Sequence, residues 1–104
     1  MVEVNKDNFE QEVLSAKGLV MVDFWGPKCD KCLALMPEIE DIASRHTSVK
    51  FCKIDITGNR RLAISQKVLG LPAVVFYKDG EKISEIGPDE AQAENIELKL
   101  KTIA

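Results

Sequence analysis

A chain of 104 residues with 14 Lys and Arg against 17 Asp and Glu carries a formal net charge of -3, which supplies no basic field for nucleic acid. No stretch approaches the roughly 20 apolar residues of a membrane span, and the amino terminus lacks the basic-then-apolar order of a secretory leader. Three cysteines are an odd count for a disulfide-stapled secreted scaffold, so one domain over residues 1–104, working in the cytoplasm, is expected.

In chain order, Val2 to Val4 is short and β-like. Asp7 or Asn8 is expected to cap a helix whose Phe9 and Val13 share a face, with Gly18 ending it. Leu19 to Trp25 is apolar at every position but Asp23, the pattern of a strand covered on both faces. From Cys29 the period becomes helical, with Cys32, Leu35, Met36, Ile39, Ile42 and Ala43 recurring on one side and Pro37 expected to kink the helix. Val49 to Asp55 reads as a second central strand. Thr57-Gly58-Asn59 then turns into a helix from Arg60 to Val68 that Gly70 is expected to end. Leu71-Pro72 precedes a strand from Ala73 to Lys78. Asp79-Gly80 signals a tight hairpin, and Glu81 to Ile86 is the returning strand. A last helix, starting at Gly87-Pro88-Asp89, puts Ala93, Ile96, Leu100 and Ile103 on one face. The order β-α-β-α-β-α-β-β-α makes an α/β fold: parallel crossover units first, an antiparallel hairpin last, and helices on both faces of a mixed sheet.

Cys29 and Cys32 lie three apart where the buried strand gives way to a helix. Such a pair can pass two electrons between a dithiol and a disulfide, whereas the same spacing in a loop more often holds a metal. The nucleophile in thiol exchange is a thiolate, which the free N–H groups and dipole of a helix start favour. Cys29 has that position and is expected to attack. Cys32, one turn in and more buried, is expected to resolve the mixed disulfide. Structural zinc would need four ligands, and the chain offers three cysteines and His46. Along a continuous helix, His46 would stand about 21 Å from Cys32. A metal or iron–sulfur site would therefore have to share Cys29 and Cys32 between two chains. Cys52, inside a central strand, reads as a small apolar core residue.

Further landmarks fall in order around the pair: Val22-Asp23-Phe24-Trp25 before it, Pro37 five residues after Cys32, Leu71-Pro72, Lys78-Asp79-Gly80-Glu81 and Ile86-Gly87. On these residues the chain resembles the thioredoxin family almost from end to end. The resemblance implies the thioredoxin fold, a central mixed five-stranded sheet flanked by four helices. It implies a protein-disulfide reductase with a redox-active Cys29–Cys32 disulfide and no bound cofactor. Asp23 is then a buried acid of raised pKa that relays a proton near Cys32. Pro72 follows a cis bond and presents the Leu71 backbone to an extended peptide, Gly87 lies on the partner-binding surface, and Trp25 packs beneath the site. Some family members pair the acid with a lysine on the next central strand. The corresponding position here is expected at Phe51, which leaves Asp23 without that cation.

The chain departs from the family at the site itself, where Lys28 replaces a Trp and Asp30-Lys31 replaces Gly-Pro. A unit charge about 6–8 Å away is worth roughly 0.5–3 kcal/mol at effective dielectrics of about 20–80. Lys28 and Lys31 favour the Cys29 thiolate and Asp30 opposes it, so a modest net fall in its pKa is expected. With no dinucleotide-binding fingerprint in the chain, electrons must come from a separate reductase, in family terms a flavin-containing thioredoxin reductase, with a ferredoxin-linked one as the alternative. The other partners expected are disulfide-containing proteins, with the chain itself a monomer. A non-catalytic thioredoxin-fold subunit, binding through Leu71, Pro72 and Gly87, is a further reading, but such a role would not need both cysteines.

Overall fold

The computed structural model describes all 104 residues. Strands β1 (Val2–Val4), β2 (Leu19–Trp25), β3 (Lys50–Asp55), β4 (Ala73–Lys78) and β5 (Glu81–Ile86) form one sheet in the order β1-β3-β2-β4-β5. β1, β3 and β2 run parallel, β4 is antiparallel to β2, and β5 is antiparallel to β4. This is the expected mixed five-stranded sheet of the thioredoxin fold. β2 lies at its centre with a neighbour on each side, which is why its sequence offers no polar face.

A π-helical turn (Glu10–Leu14) and the helices α1 (Asp30–Arg45), α2 (Arg60–Ser65) and α3 (Ala93–Ile103) cover the sheet. Because strand side chains alternate, β2 feeds two cores. Val20, Val22 and Phe24 pack with Phe9 and Val13 of the first helical segment and with Ala63 and Val68 in and after α2. Met21 packs on the other side with Leu35, Ile39 and Ile42 of α1 and Ile96 and Leu100 of α3. Asp23 and Trp25 share the parity of Met21 and so belong to the α1 side.

The strand bounds agree with the sequence to within a residue, and four helix ends do not. The first segment is capped by Asn5, not by Asp7 or Asn8. Asn5 Oδ1 accepts from the N–H groups of Asp7 (2.8 Å) and Asn8 (3.2 Å), while Asn8 Oδ1 accepts from the N–H of Asn5 (2.7 Å). This reciprocal box satisfies orphan donors earlier than expected. Its last turn widens, with the Ser15 N–H reaching Glu10 O at 2.7 Å, and the segment stops well before Gly18.

α2 ends at Ser65 rather than Val68, and Lys67 takes the left-handed conformation (φ 63°) expected of Gly70. The Val68 N–H bonds to Ala63 O and the Lys67 N–H to Ile64 O, both at 2.9 Å. That is a Schellman stop, with Val68 buried beneath it. α3 begins at Ala93, because a turn closed by the Glu90 N–H on Gly87 O is followed by Gln92 in an extended conformation. α1 runs unbroken through Pro37.

The β4–β5 turn puts both Asp79 (φ 50°) and Gly80 (φ 83°) in the left-handed region, as a two-residue hairpin requires. A Cβ on Gly80 would stand 2.1 Å from Leu14 O, so glycine also permits close packing against the first helical segment.

Candidate active site

β2 ends at Trp25, and Gly26-Pro27-Lys28 turns the chain into α1. A Cβ on Gly26 would meet Leu71 Cδ1 at 3.3 Å, a tight contact, and Ile56 Cγ1 at an ordinary 3.6 Å, so the turn lies close against Leu71. Cys29 is the N-cap of α1, extended at φ -99° and ψ 102°, and its Sγ accepts the Cys32 N–H at 3.1 Å. The sulfur therefore occupies the place that a Ser or Asp oxygen usually takes at a helix start. A thiolate there receives a charge-assisted hydrogen bond and the favourable end of the helix dipole. Cys29 and Cys32 are joined as a disulfide, with Cα atoms 5.2 Å apart. Cys29 is half-buried while Cys32 is 1% exposed. One sulfur can be reached from outside and the other cannot.

Asp23 is the one buried charged residue of the chain, 1% exposed, and neither carboxylate oxygen has a hydrogen-bond partner. Burial pushes its pKa up from 3.8 to about 7, against a smaller opposing effect of the Lys53 charge. Phe51 carries no charge, as expected, but Asp23 is not left without a cation, because Lys53 takes that part. The parallel register pairs Phe51 with Met21 and Lys53 with Asp23, so the acid does have a cation on the neighbouring strand. Lys53 is not legible as that cation from the sequence, because the pairing of β2 with β3 is set by packing and not by either strand alone. The signal available was a lone cation between Cys52 and Ile54 in a strand otherwise apolar at its centre.

The Leu71–Pro72 peptide is cis, and Pro72 is buried. Two hollows flank the disulfide. The one beside α2 holds Lys28, Cys29, Ile56, Arg60 and Leu71. The one on the far side is lined by Lys31, Leu35, Glu38, Pro72, Pro88 and Asp89. Lys28, Asp30 and Lys31 are all exposed, so the substituted positions face whatever approaches Cys29. Gly87 stands apart from both hollows, in a cleft with Glu85, Glu90 and Asn95, although its neighbour Pro88 lines the far-side hollow. Trp25 is half-buried with its Nε1 enclosed and without a partner.

The remaining candidate ligands lie elsewhere. His46 caps the opposite end of α1 and its Nε2 meets Glu97 Oε2 at 3.0 Å. Cys52 is a fully buried free thiol whose pKa burial raises to about 11. No group of three or more His, Cys, Asp and Glu side chains gathers as a metal site within the chain.

The family model described as Thioredoxin matches residues 1–102. The thioredoxin of Acetoanaerobium sticklandii is 49% identical over 102 residues, covering 97% of each chain. That of Peptoclostridium acidaminophilum is 47% identical over 101 residues, 96% of this chain and 92% of its own. Thioredoxin C-2 of Corynebacterium nephridii is 33% identical over 86 residues, 82% of this chain and 80% of its own. With the cysteine pair at the head of α1 and the mixed sheet behind it, these matches show that the chain belongs to the thioredoxin family and is a thiol–disulfide oxidoreductase acting on protein disulfides.

Proposed function

We propose that residues 1–104 work as one domain in which Cys29 is the nucleophile, Cys32 the resolving thiol and Asp23 the proton acceptor for Cys32. The observation that carries this division is the contrast between a half-buried, N-capping Cys29 and an enclosed Cys32. In the reduced protein the Cys29 thiolate attacks one sulfur of a partner disulfide, and the other partner sulfur leaves with its electron pair and takes up a proton. Cys32 then gives its proton to the Asp23 carboxylate and attacks Cys29 Sγ. The second partner thiolate departs, and the Cys29–Cys32 disulfide forms. Two electrons have moved to the partner.

A carboxyl with a pKa of about 7 is poised to accept and return a proton near neutral pH. Asp23 lies on the α1 side of β2, and Cys32 is a buried residue of α1. Trp25 supports the turn from below. Lys28 and Lys31 favour the Cys29 thiolate and Asp30 opposes it, with a net depression of the Cys29 pKa. Leu71 and Pro72 present backbone to an extended partner beside the disulfide, and Gly87 contributes to the same surface through Pro88.

No cofactor is needed beyond the disulfide itself. A separate reductase recharges the chain, and family membership favours a flavin-containing one. The protein acts as a monomeric electron carrier in the cytoplasm.

The test is capture. In Cys32→Ser protein, reduced and mixed with disulfide-bearing proteins, adducts should accumulate on Cys29 and be released by dithiothreitol. Adducts carried by Cys52, or none at all, would overturn the assignment.

A further inference from the structure

We infer that the surface beside α2 is a charge-selective subsite for an acidic, apolar segment of a protein substrate, next to the half-cystine that Cys29 attacks. The inference rests on the exchange reading above. Two hollows meet on this side of the disulfide. The first, about 430 Å³, contains Lys28 and Cys29. The second, about 320 Å³, is lined by Ala63, Ile64, Val68 and Leu69, and both share Ile56, Arg60 and Leu71. A segment leaving the sulfur under attack therefore passes from one into the other.

Two features of this surface set it apart. Leu69 at 87% and Ile64 at 64% are the two most exposed large apolar side chains of the chain, and both line the second hollow. Apolar exposure gathered beside a reactive centre suits a partner's apolar side chain. The lining charges are also of one sign, Lys28 and Arg60 with no carboxylate, in a chain whose net charge is -3. Neither cation is used in any of the ion pairs of the fold. A partner carboxylate can meet them without displacing an internal one. The hollow across the disulfide sets Lys31 against Glu38 and Asp89, so its lining charges are mixed and net acidic.

An acidic residue near the attacked cysteine is thus attracted on the α2 side, while a basic one there meets two like charges. A second copy of this chain is a poor occupant for the same reason, since it would bring the same cations to the contact.

The full-length reduced protein should be given short disulfide-linked peptide dimers whose cysteine is flanked by Leu and Glu or by Leu and Lys, with the flank placed on either side. The Glu peptide is expected to be reduced about fivefold faster at low salt, with the preference fading toward unity at about 0.5 M salt. Arg60→Glu should invert the preference, and the ratio of the two rates cancels any change in the reactivity of Cys29 itself. The double variant Ile64→Ser, Leu69→Ser should lower the rate for a Leu-Glu peptide relative to a Ser-Glu peptide. Both side chains are exposed, so the fold tolerates the change.

Equal rates for the Glu and Lys peptides, or a ratio unmoved by Arg60→Glu, would overturn the subsite. Failure to reduce any peptide would instead overturn the exchange reading beneath it. If the substitutions changed only turnover driven by the reductase, the hollow would belong to the electron donor and the substrate assignment would be wrong.

Discussion

Adjacent rungs of the β2–β3 ladder carry opposite chemistry. Val22 lies beside Cys52 on the α2 side of the sheet, and Asp23 lies beside Lys53 on the α1 side. Cys52 and Asp23 are both essentially fully buried. Burial raises both pKa values, to about 11 for the thiol and about 7 for the acid. The consequences differ because the starting points differ. A thiol moved up to about 11 stays neutral and inert at physiological pH, an apolar core atom in effect. A carboxyl moved up to about 7 can take up or give up a proton near neutral pH. The same desolvation holds one group neutral and brings the other into the neutral titration range.

Three changes sharpen or break that contrast. The largest effect is expected from Asp23→Asn. The folded pKa of the acid is raised above the unfolded value, so the native state binds the extra proton. The cost of ionising Asp23 in the folded protein is absent below about pH 4, grows as pH rises toward 7, and is complete above it. A shift from 3.8 to about 7 corresponds to a cost on the order of 4 kcal/mol. Urea denaturation should show the Asp23→Asn protein more stable than the parent by about 2–4 kcal/mol at pH 8 and nearly equal to it at pH 4. A gain independent of pH would mean that ionisation is not the cause.

Cys52→Ala should cost about 1–2 kcal/mol from the small void it leaves on the dry side. It should leave the rate of disulfide exchange unchanged, and in the parent the Cys52 thiol should be alkylated only as the protein unfolds. Ready labelling of Cys52 in the native state would remove it from the inert side of the comparison. The smallest shift is expected from Lys53→Met. Lys53 holds the Asp23 pKa down, so its loss should move the carboxyl titration upward by about half a unit to one unit. Carbon-13 detection of the Asp23 carboxyl would show this directly. A downward move would contradict the electrostatic role given to Lys53.

Much of the frame was legible in the sequence because it rests on local rules. The run of Leu19 to Trp25, apolar at every position but Asp23, can be only a central strand in a chain of this size, and Asp79-Gly80 carries its hairpin in its two residues. The cysteine pair and Asp23 were legible for the same reason, as polar or reactive atoms set in a strongly patterned stretch. Helix ends were less so. Lys67 rather than Gly70 stops α2, because the buried Val68 and its bond to Ala63 outweigh the preference of a lysine against φ 63°. The Asn5–Asn8 box depends on two side chains meeting the backbone, which spacing alone does not report. Lys53 and the hollow shared by Ile56, Arg60 and Leu71 were hidden for a different reason. Both depend on strand register and on the approach of segments distant in sequence.

The most direct test of the contrast is the second step of thiol exchange, followed in reduced protein mixed with a chromogenic aryl disulfide. Attack by Cys29 releases the first aryl thiolate, and resolution by Cys32 releases the second. From pH 6 to 9 the parent should show a second phase that follows a group titrating near the Asp23 value of about 7. In Asp23→Asn protein that phase should be slowed roughly tenfold or more and lose the titration near 7, while the first phase persists. If the second phase of the variant matched the parent in rate and pH profile, Asp23 would be a buried acid with no part in the reaction.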